Sequence, residues 1–482
     1  MKSIIINLQK TIFLLWKILL YFLLMSIFIG VFSFPNPQLL RLSRTLGVTL
    51  LTFAAVGYGM INAYGKFDIG QRKSKPIIYS LGLAVIITDI VTYIQLAVMN
   101  TNPANNSTLK FENLGCLVIV MGLQVFLIVV MTYLGNYVYF RINHPEISCI
   151  VTSSRESMQQ IYVAVNRYKK QYNIKYILDY RDKNLYDTIL KCHTVFIYDV
   201  PIKDRTEIFE FCYRHSRNIY FNPDVPDVVE FNAQHIVLDD VSLIGATVKE
   251  LSLEQRFIKR SMDLILSGIG LVVSSPIWLI CAVCIKAEDG GSVFFKQKRA
   301  TKNGEVFEVY KFRTMKENVE NFSSTADDDR ITKVGKVLRK CRLDELPQIL
   351  NILKGEMSLV GPRPEMLENV YSYTAQLPEF EYRLRVKAGL TGYAQIAGKY
   401  NTSPRDKLIL DLMYIENYSL WKDIKLLFQT LIVLFKSDST EAFDSKRRIE
   451  FPEYKNIENE VCLLYTSPSP RDFVLSRMPS SA

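Results

Sequence analysis

Four apolar stretches near the start of the chain constrain its fold more than any other feature. They are residues 11–34, 46–63, 76–99 and 114–140. Each is close to the roughly 20 residues that a helix needs to cross the hydrocarbon core of a bilayer. The first is too long for a cleaved signal peptide and lacks a small-residue cleavage site. We therefore predict four transmembrane helices within residues 1–140, with the lipid bilayer as a partner.

Basic residues between these stretches predict the orientation of the bundle. Lys2 and Lys10 precede the first stretch. The loop between the second and third holds Lys66, Arg72, Lys73 and Lys75, whereas the other two loops hold only Arg41, Arg44 and Lys110. Because cytoplasmic loops are enriched in Lys and Arg, both chain ends and everything after residue 140 are expected in the cytoplasm.

Charge and cysteine usage limit which partners and which compartment the chain is expected to have. The net charge of +10 over 482 residues suits contact with anionic lipid or with phosphate groups. The charge lies beside apolar runs and not in an arginine-rich tract with aromatics, so nucleic acid is not an expected partner. Eight scattered cysteines without disulfide spacing fit a reducing compartment. All four histidines precede residue 240, which excludes a histidine-rich zinc site in the C-terminal half.

Between residues 141 and 250 short apolar runs alternate with helix-like segments. Candidate strands are 147–152, 174–178, 194–198, 218–221 and 235–238, and candidate helices include 157–171 and 205–215. This alternation predicts a small parallel α/β domain of Rossmann type. The turn after the first strand reads Thr152-Ser153-Ser154-Arg155 and no glycine occurs between Glu146 and Ile244. A dinucleotide fingerprint is therefore absent, and a spacer, a regulatory module and a dimer contact stay open as roles.

A fifth apolar run, residues 264–285, carries Ser274-Ser275-Pro276 at its midpoint. Proline removes an amide donor and clashes with the preceding turn, and serine hydroxyls can satisfy the freed backbone groups. Cations flank the run on both sides, beginning with Lys259 and Arg260. We predict a re-entrant helix over residues 257–286, broken at Ser275 and Pro276, that enters one leaflet and returns. A kinked helix that spans the membrane is the alternative.

The adjacent acids Asp344 and Glu345 stand in the block RKCRLDELPQ, close behind Lys336, Arg339, Lys340 and Arg342. Pro347 predicts a helix start there, where the dipole favours anions. Leucines 343, 346, 350 and 353 predict an apolar face suited to lipid. One acid could attack phosphorus while its neighbour holds a divalent metal and the cations neutralise phosphates. An ordinary solvated acid pair is the alternative.

Two further features lie on either side of the acid pair. Segments 291–295 and 307–315 predict a short β-hairpin with cationic tips. Downstream, Gly361-Pro362-Arg363-Pro364 is a rigid turn that presents one guanidinium. It is interpreted either as a phosphate clamp or as a plain turn.

The segment LDELPQILNILKGEMSLVGPRPE resembles the signature of the bacterial monotopic polyprenyl-phosphate phosphoglycosyl transferases, the bacterial sugar transferase family. KRSMDLILSG, GSVFFKQKR, VYKFRTM and GLTGYAQIAGK are similar as well, in the same order, over residues 257–436. The four spans and the Rossmann-like domain resemble the long form of the family, which primes capsular or exopolysaccharide repeat units.

The resemblance implies a mostly α-helical catalytic domain over residues 287–455. It would transfer a sugar-1-phosphate from a nucleotide sugar, a UDP-sugar, to polyprenyl (undecaprenyl) phosphate. Asp344 would be the nucleophile, form an aspartyl-phosphosugar intermediate and expel UMP. Glu345 would bind Mg²⁺, and the residues expected to bind phosphates are Lys311, Arg313, Arg339, Arg363 and Lys399. The family has Arg at the last position, so the bidentate fork is lost there.

The resemblance also implies a multi-pass protein of the bacterial inner membrane with its catalytic domain on the cytoplasmic side. A homodimer is a further expectation. One alternative is a membrane-anchored nucleotide-sugar dehydratase, but the C-terminal half lacks the glycine-rich NAD loop that it requires. Another is an inactive membrane regulatory protein. Residues 462–482 resemble a translated sequencing adapter and are excluded from fold reasoning.

Overall fold

The computed structural model describes residues 2–65, 67–101, 108–231, 233–246, 250–316, 329–398 and 403–434. They belong to two units. One lies within Met1–Asn143 and Pro223–Asp444, and the other within His144–Asn222. The predicted residue Lys399 and the tail 462–482 lie outside the described residues.

The four predicted membrane stretches are helices, which confirms this part of the prediction. They are α1 (Lys2–Phe32), α2 (Arg44–Tyr64), α3 (Ser74–Met99) and α4 (Leu114–Ile142). Within the described residues, five helices are long and apolar enough to cross a membrane, these four and a later one. The bundle packs around buried apolar side chains such as Leu20, Phe28, Leu81 and Ile128.

The second unit is a parallel α/β fold, as its alternating pattern predicts. Its elements are β1 (Glu146–Thr152), α5 (Arg155–Asn166), β2 (Tyr172–Asp179), α6 (Leu185–Leu190), β3 (Thr194–Tyr198), α7 (Ile202–Arg214) and β4 (Asn218–Phe221). The strand order is β2-β1-β3-β4 and every pair is parallel. Four of the five predicted strands form this sheet.

The fifth predicted strand lies elsewhere. After α8 (Val225–Glu230), β5 (Gln234–Leu238) pairs antiparallel with β6 (Val241–Gly245) in a separate two-stranded sheet. Only Asp239 and Asp240 join them, and Asp239 has a positive φ of 55°. A parallel pairing would need a long crossover, whereas a two-residue turn reverses the chain at once. The α/β unit therefore ends at Asn222 and not at the predicted residue 250.

The remaining elements form the predicted, mostly helical domain. They are α9 (Leu253–Asp289), β7 (Phe294–Ala300), β8 (Val306–Phe312), α10 (Lys333–Lys340), α11 (Gln348–Lys354), β9 (Ser358–Val360), α12 (Leu367–Gln376), β10 (Gly389–Thr391), α13 (Tyr393–Ala397), α14 (Pro404–Ile415) and α15 (Leu420–Leu434). Three 3₁₀ segments, Lys302–Gly304, Leu343–Glu345 and Pro378–Arg385, lie between them. The predicted hairpin is confirmed, since β7 and β8 pair antiparallel. The core contains Val309, Ile352, Val360, Phe380 and Leu412.

Helix α9 corrects one prediction, because it is helical throughout and is not broken at Ser275 and Pro276. Pro276 cannot donate to the carbonyl of Val272, four residues earlier. The Ser275 hydroxyl donates to that carbonyl instead, at 2.8 Å. The freed backbone group is thus satisfied locally and the helix continues to Asp289.

The first turns of α9 are anchored in the domain core. The Lys259 ammonium donates to Asp423 at 2.6 Å and to the Val360 carbonyl at 3.0 Å. Asp263 accepts from the Ser358 hydroxyl at 3.1 Å and from the Leu359 amide at 2.9 Å. Lys259 and Arg260 are predicted as a basic membrane flank, but both are committed to protein contacts.

Arg260 caps the C-terminal end of α11. Its guanidinium donates to the carbonyls of Ile352 and Leu353 at 2.6 and 2.8 Å. These carbonyls lie in the last turn of α11, where a helix has unsatisfied acceptors and a partial negative charge. Arg260 therefore fixes the far end of the helix that follows the acid pair.

We predict that Lys259→Met costs about 3–5 kcal/mol of stability, because it leaves the buried Asp423 carboxylate unpaired. Asp423 is fully buried and Lys259 is 12% exposed. Unfolding of the detergent-solubilised protein would measure the loss. The matched control is Arg256→Met, whose pair with Glu250 is 47% and 76% exposed and should cost under about 1 kcal/mol. Equal losses in the two variants would contradict the buried anchor.

Candidate active site

The acid pair lies on a tight turn between two helices. The 3₁₀ segment Leu343–Glu345 follows α10 through Arg342, whose φ of 54° is left-handed, and it precedes α11. Pro347 caps α11, so the pair does lie just before a helix start. Leu343 and Leu346 are half-buried against Phe312 and Leu338. The predicted apolar face therefore packs in part on protein.

Glu345 is held by two cations from different elements. The Lys311 ammonium, on β8, donates to Glu345 Oε1 at 3.1 Å. The Arg363 guanidinium, after β9, donates to the same oxygen at 2.6 Å. Burial alone would raise the pKa of the Glu345 carboxyl, but the charges and hydrogen bonds of Arg363 and Lys311 outweigh it and hold that pKa well below its usual range. Glu345 is therefore ionised at neutral pH.

Asp344 has a different environment. Within the described residues, no donor hydrogen-bonds to its carboxylate. Burial and the charge of Glu345 raise the pKa of Asp344, although Lys311, Arg339 and Arg363 act against this shift. The site thus holds two adjacent carboxylates with separate properties, one ion-paired and one free to react.

The turn that carries Arg363 is fixed from behind. The Arg383 guanidinium donates from Nη2 to the Arg363 carbonyl at 2.8 Å and from Nε to the Asp411 carboxylate at 3.0 Å. Arg383 and Asp411 are 3% and 1% exposed. Glu365 pairs with Lys407 at 3.1 Å. Since one buried ion pair and one neighbouring pair hold this turn, Arg363 is preorganised toward Glu345.

Three glycines let this turn approach β10 closely. The Gly361 amide donates to the Thr391 carbonyl, and the Gly389 amide donates to the Pro362 carbonyl, both at 2.8 Å. A Cβ added at Gly389 would lie 2.1 Å from the Gly361 nitrogen, and one at Gly392 would lie 2.2 Å from the Gly361 oxygen. The spacing in GLTG is therefore a packing requirement that places Arg363.

The other predicted phosphate-binding residues are placed differently. Arg339, on α10, donates from Nε to the Thr314 hydroxyl at 2.9 Å, and its charge acts on Asp344. Arg313 is buried and pairs with Asp289 at the end of α9. The structure thus gathers Lys311, Arg339 and Arg363 around the acid pair and gives Arg313 a structural partner. Lys399 is not described.

Sequence reasoning missed Arg383 and Asp411. Arg383 stands in the charged stretch EFEYRLR, Asp411 interrupts the apolar run LILDLMYI, and the two are 28 residues apart. Long-range pairing of this kind leaves no local motif. Only the clustering of charges in the folded chain reveals it.

The side chains at the acid pair offer few ligands for the predicted Mg²⁺. Among the described residues, no group of three or more His, Cys, Asp or Glu side chains could hold a metal. Magnesium, however, is commonly bound by one or two carboxylates together with substrate phosphates. Both cations contact Oε1 of Glu345, and no described donor contacts Oε2. The residues present therefore fit one Mg²⁺ shared with phosphate oxygens.

Comparison with known proteins places this site in a family. A family model described as "Bacterial sugar transferase" matches residues 254–437, the region from α9 to the end of α15. The "Exopolysaccharide production protein ExoY" of Sinorhizobium fredii is 39% identical over 191 residues, which are 36% of this chain and 83% of that protein. A "UDP-glucose:undecaprenyl-phosphate glucose-1-phosphate transferase" of Caulobacter vibrioides is 36% identical over 189 residues, 38% of this chain and 71% of that protein.

Another relative is longer than the shared region. A "UDP-N-acetylgalactosamine-undecaprenyl-phosphate N-acetylgalactosaminephosphotransferase" of Aeromonas hydrophila is 43% identical over 181 residues. The match covers 36% of this chain and 43% of that protein. The chain thus spans less than half the length of this relative.

We predict that Gly389→Ala destabilises the protein by about 3 kcal/mol, because the added methyl group would meet the backbone of Gly361 and not a movable side chain. Thermal unfolding would measure the loss. Gly268→Ala, in α9, is the control, since no atom lies within 4 Å of a Cβ built there. A Gly389→Ala protein as stable as this control would contradict the close approach.

Proposed function

The chain belongs to the bacterial sugar transferase family, and we propose that it transfers a sugar-1-phosphate from a UDP-sugar to undecaprenyl (polyprenyl) phosphate. The printed names of the Caulobacter and Aeromonas relatives support this donor and acceptor. The name of the Sinorhizobium relative supports a place in exopolysaccharide production. The transfer would be the first membrane step of exopolysaccharide, capsule or O-antigen assembly.

One observation carries the proposed mechanism. Asp344 has no hydrogen-bond donor among the described residues, while its neighbour Glu345 is neutralised by Lys311 and Arg363. A carboxylate that is not solvated by donors is a stronger nucleophile than one engaged in ion pairs. We assign Asp344 as the nucleophile for this reason.

The reaction has two displacements at one phosphorus. A carboxylate oxygen of Asp344 attacks the sugar-bearing phosphorus, a new P–O bond forms, and UMP leaves with the electron pair of the broken bond. An oxygen of polyprenyl phosphate then attacks the same phosphorus. The bond to Asp344 breaks, the carboxylate is regenerated, and the product is a polyprenyl diphosphate sugar. Neither step requires an imidazole.

The cations around the acid pair supply the electrostatic part of catalysis. Lys311 and Arg363 already converge on Glu345, and Arg339 lies close enough to act on Asp344. Charges placed before the reaction stabilise the negative charge that develops on phosphate oxygens. We propose that these three side chains bind the phosphates of the donor and that Arg313 acts through Asp289 on the local fold.

Mg²⁺ is proposed as the cofactor, held by Glu345 together with substrate phosphate oxygens. When bound, it would neutralise phosphate charge and orient the diphosphate. The uncommitted Oε2 of Glu345 supports this assignment. The residues of the chain keep the roles given above, since Asp344 attacks and the cations bind phosphate.

Helix α9 supports a re-entrant position in the membrane. Its first turns are anchored through Lys259 and Asp263, and Cys281 and Ile285 near its end pack on Phe312 of the same domain. A straight helix of its 37 residues would be about 55 Å long, so a full crossing would separate its ends by a bilayer. We propose that α9 stays helical but bends at Pro276, so that it enters one leaflet and returns with its many exposed apolar side chains in lipid.

This position makes the acid pair accessible to a lipid phosphate. A domain at the cytoplasmic face of the bacterial inner membrane would meet both the soluble nucleotide sugar and the membrane-bound acceptor. We propose that the catalytic domain lies on the cytoplasmic side of this membrane, in agreement with the basic loops of the four-helix bundle. The homodimer stays a prediction.

We predict that Asp344→Asn lowers the rate of UMP release by about a thousandfold or more, because the amide cannot form the acyl phosphate. The measurement is UMP release from a panel of UDP-sugars in the presence of polyprenyl phosphate. Glu345→Gln is the companion variant and should raise the Mg²⁺ concentration needed for half-maximal rate. An Asp344→Asn protein with near wild-type turnover would exclude the covalent mechanism.

The pH dependence follows from the raised pKa of Asp344. The reactive form is the carboxylate, so the single-turnover rate of UMP release should fall as the pH decreases through this pKa. The acid limb should lie above about 3.9, the value of an ordinary Asp. Arg339→Gln should move the limb further upward, because the Arg339 charge lowers this pKa. A limb at or below the ordinary value, unmoved by Arg339→Gln, would contradict the assignment.

A further inference from the structure

Arg299, the last residue of the segment GSVFFKQKR, is a cation of the site to which the mechanism above gives no role. It lies on β7, which pairs with β8 in the register Phe295↔Lys311 and Arg299↔Phe307. Because side chains alternate along a strand, Arg299 and Lys311 lie on the same face of the hairpin. That face is turned toward the domain, since Phe307 and Val309 on it are buried. The neighbouring Lys298 lies on the exposed face.

The contacts of Arg299 connect it to the turn that carries Arg363. Its guanidinium donates from Nη1 to the Pro364 carbonyl at 3.3 Å and from Nη2 to the Gln297 side chain at 2.7 Å. An isolated antiparallel bridge joins the backbones of Arg299 and Met366. Arg299 is therefore hydrogen-bonded to the turn that carries Arg363, and its Nε–H has no acceptor among the described residues.

Arg299 bonds to the residue that follows Arg363, and the charges of the two guanidinium groups act on each other. Burial lowers the pKa of Arg299 to about 10, and the charge of Arg363 lowers it as well, while Glu365 and Glu345 act in the opposite direction. Both of these carboxylates are already ion-paired, Glu345 with Lys311 and Arg363, and Glu365 with Lys407. Within the described residues Arg299 forms no ion pair, although the charge of the exposed Glu368 also acts on it.

The local charges do not balance. Among the described residues, this cluster holds six cationic side chains and five carboxylates, which are Lys311, Arg339, Arg363, Arg299, Arg383 and Lys407 against Asp344, Glu345, Glu365, Glu368 and Asp411. The surplus of one positive charge favours a bound anion such as a phosphate group. Arginine forks bind phosphate oxygens in pairs and with fixed geometry.

We propose that Arg299 is a further phosphate-binding residue, which forms with Arg363 a two-arginine clamp on the diphosphate of the donor. This inference rests on the proposed function for the identity of the donor. It also assigns the binding group, a diphosphate, independently of the sugar and of the acceptor. A purely structural role through the Pro364 carbonyl is the competing explanation.

The test uses the full-length protein in detergent and two probes, UDP and inorganic pyrophosphate, whose affinities are measured by calorimetry. Arg299→Gln should weaken both by about tenfold or more, because a charged hydrogen-bonding partner is lost. Arg299→Lys keeps the charge without the fork and should weaken them by about threefold to fivefold. Lys298→Gln, one residue away on the opposite face, is the matched control and should change neither by more than about twofold.

Two additional measurements separate binding from structure. The thermal unfolding midpoint of Arg299→Lys should equal that of the wild type, and its KM for a UDP-sugar should rise while kcat is nearly kept. A merely structural role would lower the midpoint and kcat and would leave the affinity for pyrophosphate unchanged. If Arg299→Gln does not fold, the Lys variant still decides between these results.

The outcomes also separate this inference from the proposed function. If pyrophosphate binding depends on Arg299 but no UDP-sugar yields UMP, the clamp stands and the transferase assignment fails. If UMP is released and Arg299→Gln and Arg299→Lys bind both probes like the wild type, the clamp is overturned and the transferase assignment stands. Equal losses in Arg299→Gln and Lys298→Gln, or a wild type that binds neither probe, would also overturn it.

Discussion

The ion pairs of Glu345 with Lys311 and Arg363 are the interactions on which the site depends. They join three elements that are distant in sequence, namely the 3₁₀ turn of the acid pair, strand β8 and the turn after β9. Hydrogen bonds to charged groups contribute about 1.5–3 kcal/mol each, and a buried carboxylate without them would be costly. By neutralising Glu345, the two cations also leave Asp344 as the carboxylate that is free to react. One constraint therefore sets both the local fold and the division of roles.

Contacts farther from the acid pair hold the residues of this site in place. Arg383 and Asp411 fix the backbone of Arg363, and the glycines of β10 allow that backbone to approach. Helix α9 is joined to the same domain near both of its ends, through Lys259 and Asp263 at one and through Cys281 and Ile285 at the other. Helix α15 contacts α2 of the membrane bundle, since Gln429 donates to the Ala63 carbonyl at 3.3 Å. The catalytic turn is thus connected to membrane-associated helices by continuous packing.

Local pattern predicted most elements of the fold. Three of the four spans and the four parallel strands were predicted within a few residues of their observed bounds, because apolar length and alternation depend directly on burial. Helix α1 begins at Lys2, nine residues before the predicted start. The fifth strand was misplaced, although the two-residue link Asp239-Asp240 was a visible sign of a hairpin. The break in α9 was wrong for a different reason. Proline marks a lost hydrogen bond, but the pattern alone does not say whether a neighbour such as Ser275 replaces it.

The site was predicted in part. The acid pair and the turn of Arg363 were found from the residue pattern and Lys311 from a resemblance, and the structure brings them together. Lys259 and Arg260 were interpreted as membrane-flanking charges, because a basic pair beside an apolar run has the same sequence appearance whether it faces lipid headgroups or a buried acid. Arg299, Arg383 and Asp411 were missed, since their partners are set only by tertiary contacts.

The most direct test of the central claim is to locate the covalent intermediate. The wild-type protein would be incubated with a UDP-sugar without polyprenyl phosphate, quenched, digested and examined by tandem mass spectrometry. The account predicts a phosphosugar adduct on Asp344 that disappears when polyprenyl phosphate is added. An adduct on Glu345 or another residue, or UMP release coupled to product formation without any adduct, would contradict it.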